Sequence, residues 1–159
     1  MTVSKNPKYG ATCGRVAGRI SNASFTIKDV PGRWYTSDQT YYLEANNGTN
    51  CLHSGSEGFW KRNWDAEIVN SAFLSDFVTL KEGQDDVKFK GVKFIRESPD
   101  GECGFPGTLI IESWYLLSQN DELLMIWKAR FPEDQGDDVI KTTPINLCNH
   151  TYWNLSGDF

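Results

Sequence analysis

The sequence predicts an all-β protein, an antiparallel β-sandwich, and three observations carry that expectation. Aromatic residues make up 13% of the chain, and its apolar stretches are short, β-branched or alternating. Clusters of Gly, Pro, Asn and Asp separate those stretches, and helical spacing is nearly absent. The arms of the clearest hairpin are apolar on both faces, so one sheet cannot bury them and a second layer is required.

Taken in order, residues 9–20 hold Arg15 and Arg19, spaced as one helical turn would space them, but Gly14 and Gly18 weaken any helix by ~1 kcal/mol each relative to Ala. A short turn or irregular segment fits equally well, with both arginines solvated. Residues 24–28 and 34–43 read as strands joined through a Pro31-Gly32 turn. The cluster Asn46-Asn47-Gly48-Thr49-Asn50 is a second turn, which places His53 on the loop that follows, near Phe59, Trp60 and Trp64. Residues 64–69, 73–80 and 88–96 continue the strand series, and the last alternates polar with apolar as a one-sided sheet does. Residues 83–86 read as a solvated charged loop. Residues 98–107 form a loop with three glycines and two prolines, too stiff for a random linker. Residues 109–117 and 122–131 flank Ser118-Gln119-Asn120-Asp121 and define the long antiparallel hairpin. Its second apolar set, Ile110, Trp114 and Leu116 or their alternates, is what calls for the other layer. Residues 139–147 are extended, with Pro144 restricting them to an edge or bulge.

Chemistry concentrates at the end. Asn146, Asn149, His150, Thr151, Tyr152 and Asn154 fall within nine positions, more hydrogen-bonding side chains than a packing strand carries. The chain of 159 residues reads as one domain. Its net charge of -5 argues against a nucleic-acid backbone or anionic membrane as main partner. Without a run of ~20 apolar residues or a signal-like start, a soluble cytoplasmic protein is expected. Cys13, Cys51, Cys103 and Cys148 are irregularly spaced, with no Cys-x-x-Cys pair, so four free thiols are expected.

Four collinear segments resemble signatures of the aldose 1-epimerase (galactose mutarotase) family. Gly14-Arg15-Val16-Ala17-Gly18-Arg19-Ile20 resembles GRVANRI. Asn50-Cys51-Leu52-His53-Ser54-Gly55, followed by Gly58-Phe59 and Trp64, is similar to N-x-LHGG…GF…W. The loop from Ser98 to Gly107 matches SPDGEEGYPG closely, and Asn146-Leu147-Cys148-Asn149-His150-Thr151-Tyr152-Trp153-Asn154-Leu155 resembles NLTNHSYFNL. The resemblance implies a β-sandwich of the galactose mutarotase type, present in part, that interconverts the α- and β-anomers of free aldoses such as galactose and glucose with no metal or organic cofactor. By matching position His150 would be the general acid for the ring oxygen and His53 a second histidine on that side of the sugar. Arg19 and Tyr152 would bind substrate, as would the position of Gly18, where the family carries Asn. Histidine, with an ordinary pKa of ~6.5, suits a proton transfer near neutrality.

Two departures stand out: Gly18 lacks the family's amide, and Ser54 replaces a Gly, which costs strain if that site needs positive φ. The resemblance covers an internal section. The family's general base, a glutamate, and a sugar-binding aspartate belong to its C-terminal part and have no counterpart here. A section without its neighbouring strands leaves open edges, so poor autonomous stability is expected. The alternative function is a non-catalytic carbohydrate-binding or interaction module. Metal hydrolysis through His53, His150 and Cys148 ranks far below, because the motifs account for both histidines. Asn149 and Asn154 are expected to brace backbone, and most of Phe59, Trp60, Trp64 and Trp153 to pack in the core.

Overall fold

The computed structural model describes residues 8–28, 38–133 and 142–158. Ten strands occur among them: β1 Thr12–Cys13, β2 Arg19–Ile20, β3 Ser24–Ile27, β4 Gln39–Tyr42 and β5 Cys51–Leu52, then β6 Asp65–Phe73, β7 Lys88–Ser98, β8 Leu109–Ser118, β9 Leu123–Arg130 and β10 Cys148–Asn149. The pairs β1/β10, β2/β5, β3/β4, β6/β7 and β8/β9 are antiparallel, with short 3-10 turns and no α-helix among the described residues. No helix there is long and apolar enough to cross a membrane. The chain divides into two compact units: residues 1–62, 99–109 and 131–159, and residues 63–98 and 110–130.

The first unit is built from three two-stranded pairs, β1 with β10, β2 with β5 and β3 with β4. Its buried side chains include Cys13, Ala17, Cys51, Phe59, Phe105 and Leu109. Phe105 stacks on Phe25, and Phe25 on Tyr41, with centroids 5.6 and 5.3 Å apart. The β3/β4 pair confirms the first hairpin, although its Pro31-Gly32 turn lies outside the described residues. The region of Arg15 and Arg19 is strand and loop rather than a helical turn. Past residue 142 the extended reading reduces to one parallel bridge, Val16 to Asn146, and the two residues of β10. Pro144, with no N–H to donate, is consistent with pairing that short.

The second unit is a four-stranded sheet in the order β6-β7-β8-β9. The β8/β9 hairpin falls within one residue of its expected ends, paired from Ile110↔Arg130 to Leu117↔Leu123. Buried side chains occupy both faces of β8, Ile111 and Ser113 on one and Leu116 on the other, as the two-sided apolar pattern requires. Leu116 packs with Ala72 and Phe89, and Leu74, Phe77, Val87, Trp114 and Leu124 surround them. Gly91 lets β7 approach β8, since a Cβ there would lie 2.0 Å from the Tyr115 carbonyl oxygen.

One expected strand is absent. Residues 73–80 leave the sheet at Phe73 and enter a 3-10 turn, Leu74–Asp76. The Asp76 carboxylate accepts the Phe73 N–H at 2.7 Å, and Asp86 accepts from the N–H and Oγ of Ser75 at 2.9 and 2.7 Å. These side chains take the donors that a ladder would have used, so the chain folds back and carries Leu74 and Phe77 onto the core. Asp86 therefore anchors this turn as well as belonging to a charged surface loop.

Candidate functional site

His53 follows β5, whose pairing with β2 sets Arg19 opposite Leu52 and Ile20 opposite Cys51. The turn at Asn47 and Asn50 precedes it, and the Asn46 side chain grips both backbone groups of Leu52, at 2.7 and 3.0 Å. Beyond β5 the chain clasps Gly18. The His53 N–H donates to the Gly18 carbonyl at 2.9 Å, and the Gly18 N–H donates to His53 Nδ1 at 3.1 Å. An amide can only donate, so in neutral His53 the ring proton resides on Nε2, leaving an N–H free to donate outward.

His53, Ser54 and Gly55 all have positive φ, 52°, 62° and 89°. Ser54 thus stands where glycine would be relaxed, the strain expected from its substitution. Its hydroxyl offsets that strain. Buried at 2% exposure, Oγ accepts the Val16 N–H at 2.9 Å and donates to the Val16 carbonyl at 3.3 Å.

His150 is held by the same unit. β10 pairs with β1 through Thr12↔Asn149 and Cys13↔Cys148. Just beyond, the His150 N–H donates to Ala11 O at 2.9 Å, and Gly10 N–H donates to His150 O at 3.0 Å. Asn149 braces the turn, its amide nitrogen donating to Gly10 O at 3.1 Å and its Oδ1 accepting the Thr151 N–H at 2.8 Å. Asn154 does likewise for residues 157 and 158.

Two rings far apart in sequence thereby meet. The His53 and His150 centroids lie 5.2 Å apart at an interplanar angle of 75°. Tyr152 extends the cluster, 5.1 Å from His150, and the Tyr9 ring meets Tyr152 edge-on at 5.0 Å. Both histidines are half-buried and Tyr152 is exposed, so the cluster has an open side. Burial pulls the His53 pKa below its ordinary value, helped by the positive charges of Lys8, His150 and Arg19. His53 is accordingly neutral at pH 7. Burial also pushes the Cys13 thiol up to about 12, aided by its neighbour Cys148.

Of the residues singled out in the sequence, His53, His150, Tyr152 and the Gly18 backbone come together. The Arg19 side chain is exposed, with Nε donating to Asn47 Oδ1 at 2.9 Å. Tyr9 and Lys8 escaped the sequence reading, which had only an aromatic before Gly10 as a signal. Arg15 reverses its expected place. It is 1% exposed, and its guanidinium donates to the carbonyls of Pro99 and Pro106 at 2.8 Å each, with Phe105 O and Thr143 Oγ1 at 3.5 and 3.4 Å. Arg15 therefore pins both ends of the stiff 98–107 loop. Phe59 is buried as expected, whereas Trp153 is 60% exposed. All four cysteines are free thiols.

A family model described as aldose 1-epimerase matches residues 2–158. The chain belongs to the aldose 1-epimerase family. It is 35% identical over 153 residues to galactose mutarotase of Bos taurus, covering 96% of this chain and 34% of that protein. Against aldose 1-epimerase of Escherichia coli K12 it is 34% identical over 149 residues, 94% of this chain and 33% of the relative. The solved galactose 1-epimerase from Lactobacillus acidophilus NCFM superimposes with a TM-score of 0.67 at 25% identity, over 97% of this chain and 36% of that one. An aldose epimerase homologue from C. elegans gives a TM-score of 0.65 at 25% identity, over 98% and 37%. The chain thus spans about a third of the length of the relatives it matches. Its fold is the antiparallel β-sandwich of this aldose 1-epimerase family, represented in part, as the sequence motifs implied.

Proposed function

We propose that residues 1–159 form a partial aldose 1-epimerase domain whose paired histidines act on the ring oxygen of a free hexose such as galactose or glucose. In this reaction His150 gives its proton to the ring oxygen while a base removes the proton of the anomeric hydroxyl. The bond between the anomeric carbon and the ring oxygen breaks, an open-chain aldehyde forms, and closure on its other face yields the other anomer. Both protons return on closure, so no redox partner is needed. His53, neutral with its proton on Nε2, donates a hydrogen bond to the same side of the sugar, and Tyr152 and Arg19 bind the substrate. The observation that carries the reading is the 5.2 Å approach of two half-buried imidazoles on motifs shared with the family.

The second reading is a sugar-binding module without catalysis, in which the two imidazoles and the exposed Tyr152 only contact the sugar. Polarimetry on freshly dissolved α-D-galactose separates the two. Rotation that decays faster than in buffer, and at the buffer rate with His150→Asn, supports the epimerase. An acceleration that His150→Asn leaves unchanged refutes the acid role. Decay at the buffer rate with sugar-dependent shifts of both histidine resonances supports the binder, and neither effect removes both readings.

A further inference from the structure

We infer that Cys13 and Cys148 are a redox pair, which a small-molecule disulfide converts to a bridge that clamps the strand carrying His150. The pairing of β1 with β10 sets the two residues directly opposite each other in an antiparallel ladder. Directly opposed side chains leave the same face of such a ladder, with Cα atoms about 4.5–5.5 Å apart, inside the roughly 4.4–6.8 Å that a disulfide spans. The ladder is fixed on both sides of the pair: the His150 N–H donates to Ala11 O and the Asn146 N–H to Arg15 O, each at 2.9 Å. The thiols are in hydrogen-bonding contact. Cys51 and Cys103 share no such register, since Cys51 lies opposite Ile20 and Cys103 Sγ donates to the Glu57 carbonyl at 3.4 Å. The family segment NLTNHSYFNL carries Thr where this chain has Cys148, so the pair is not part of the motif.

Burial divides the chemistry between the two thiols. Cys148 is half-buried and Cys13 fully buried, so the reagent meets Cys148 first. The Cys148 thiol loses its proton and its sulfur attacks one sulfur of the small disulfide, forming a mixed disulfide and releasing one thiol. Cys13 then gives up its proton and attacks the Cys148 sulfur; the protein bridge forms, the mixed disulfide breaks, and the second thiol leaves. The pair loses two electrons and two protons, and the reagent gains them as two thiols. A Cys13 pKa of about 12 makes the second step the slow one. Because β10 is only two residues long and leads directly to His150, the bridge adds a covalent tie to a short ladder beside the imidazoles.

The test is incubation of the native chain with oxidised glutathione, followed by alkylation, mass spectrometry and peptide mapping. The expected result is a loss of ~2 Da, with Cys13 and Cys148 joined in one peptide pair. The urea midpoint should rise by about 1–2 M, as for a bridge that closes most of the chain into a loop, and fall back when reductant is added. Cys148→Thr, which installs the residue of the family segment, should show neither the mass loss nor the rise. A glutathione adduct on Cys148 that never resolves, thiols 13 and 148 that both stay free, or a bridge through Cys51 or Cys103 overturns the inference. A bridged chain whose midpoint does not rise also overturns it, because the strand would then not be clamped.

Discussion

Replacing Arg15 by Met should destabilise the chain more than any exposed substitution, because it removes a buried charged donor from two carbonyls. The guanidinium makes two 2.8 Å bonds, to Pro99 O and Pro106 O. Hydrogen bonds to a charged group contribute ~1.5–3 kcal/mol each, which puts the gross loss at roughly 3–6 kcal/mol. The guanidinium no longer has to be desolvated, which returns part of that, so a net loss of about 3 kcal/mol is expected. At ~2 kcal/mol per molar urea this moves the unfolding midpoint down by about 1.5 M. Arg15→Lys should recover only a fraction, since a compact ammonium lacks the planar fork that reaches both ends of the 98–107 loop. Urea unfolding followed by tryptophan fluorescence and far-UV circular dichroism measures both. A loss below about 1 kcal/mol for Met, or full recovery with Lys, would refute the strut.

Ser54→Ala keeps the left-handed backbone and deletes both bonds to Val16; urea unfolding should show a loss of ~1–3 kcal/mol, and a loss within noise would mean the hydroxyl offsets nothing. Gly18→Asn restores the amide that the resemblance assigns to the family. With φ +80 and nothing within 4 Å of the point a Cβ would occupy, it should cost under ~1 kcal/mol and tighten galactose binding, and a collapsed fold would contradict the open space at that position. The pH response follows from His53. Its folded pKa lies below the unfolded ~6.5, so above that value both states are neutral there and nothing is lost. As pH falls through ~6.5 toward the folded pKa the unfolded chain takes up the proton first, and stability declines. An NMR titration should place His53 below ~6.5, nearer to it in Lys8→Gln, and His53→Gln should flatten that part of the stability profile. A His53 that titrates above ~6.5 would contradict the burial argument.

The fold was most legible where side-chain pattern and turn chemistry agree. Ser118-Gln119-Asn120-Asp121 between two apolar runs placed β8 and β9 almost to the residue, and the apolar residues on both faces of β8 announced two-sided burial. Residues 73–80 look equally strand-like, but Asp76 and Asp86, one of them well outside the apolar run, capture the backbone donors and turn the chain away. Arg15 was illegible for another reason. An arginine is usually solvated, and nothing local reveals that two carbonyls distant in sequence will enclose it. For the site, the motifs named His53, His150, Gly18 and Tyr152, and the positive φ at Ser54 meets the condition under which replacing the family's glycine costs strain. Lys8 and Tyr9 join the histidines only through the β1/β10 pairing, a contact between the two ends of the chain that no short pattern encodes.

The central claim is that the two imidazoles form one sugar-facing pair, and the sequence contains only these two histidines. The most direct measurement is therefore the carbon–proton spectrum of histidine-labelled protein, assigned with His53→Gln, as an aldose is added. The account predicts a cross-relaxation contact between the two rings in the free protein and saturable movement of both resonances with one shared affinity. Movement of one resonance alone, or of neither, would contradict it.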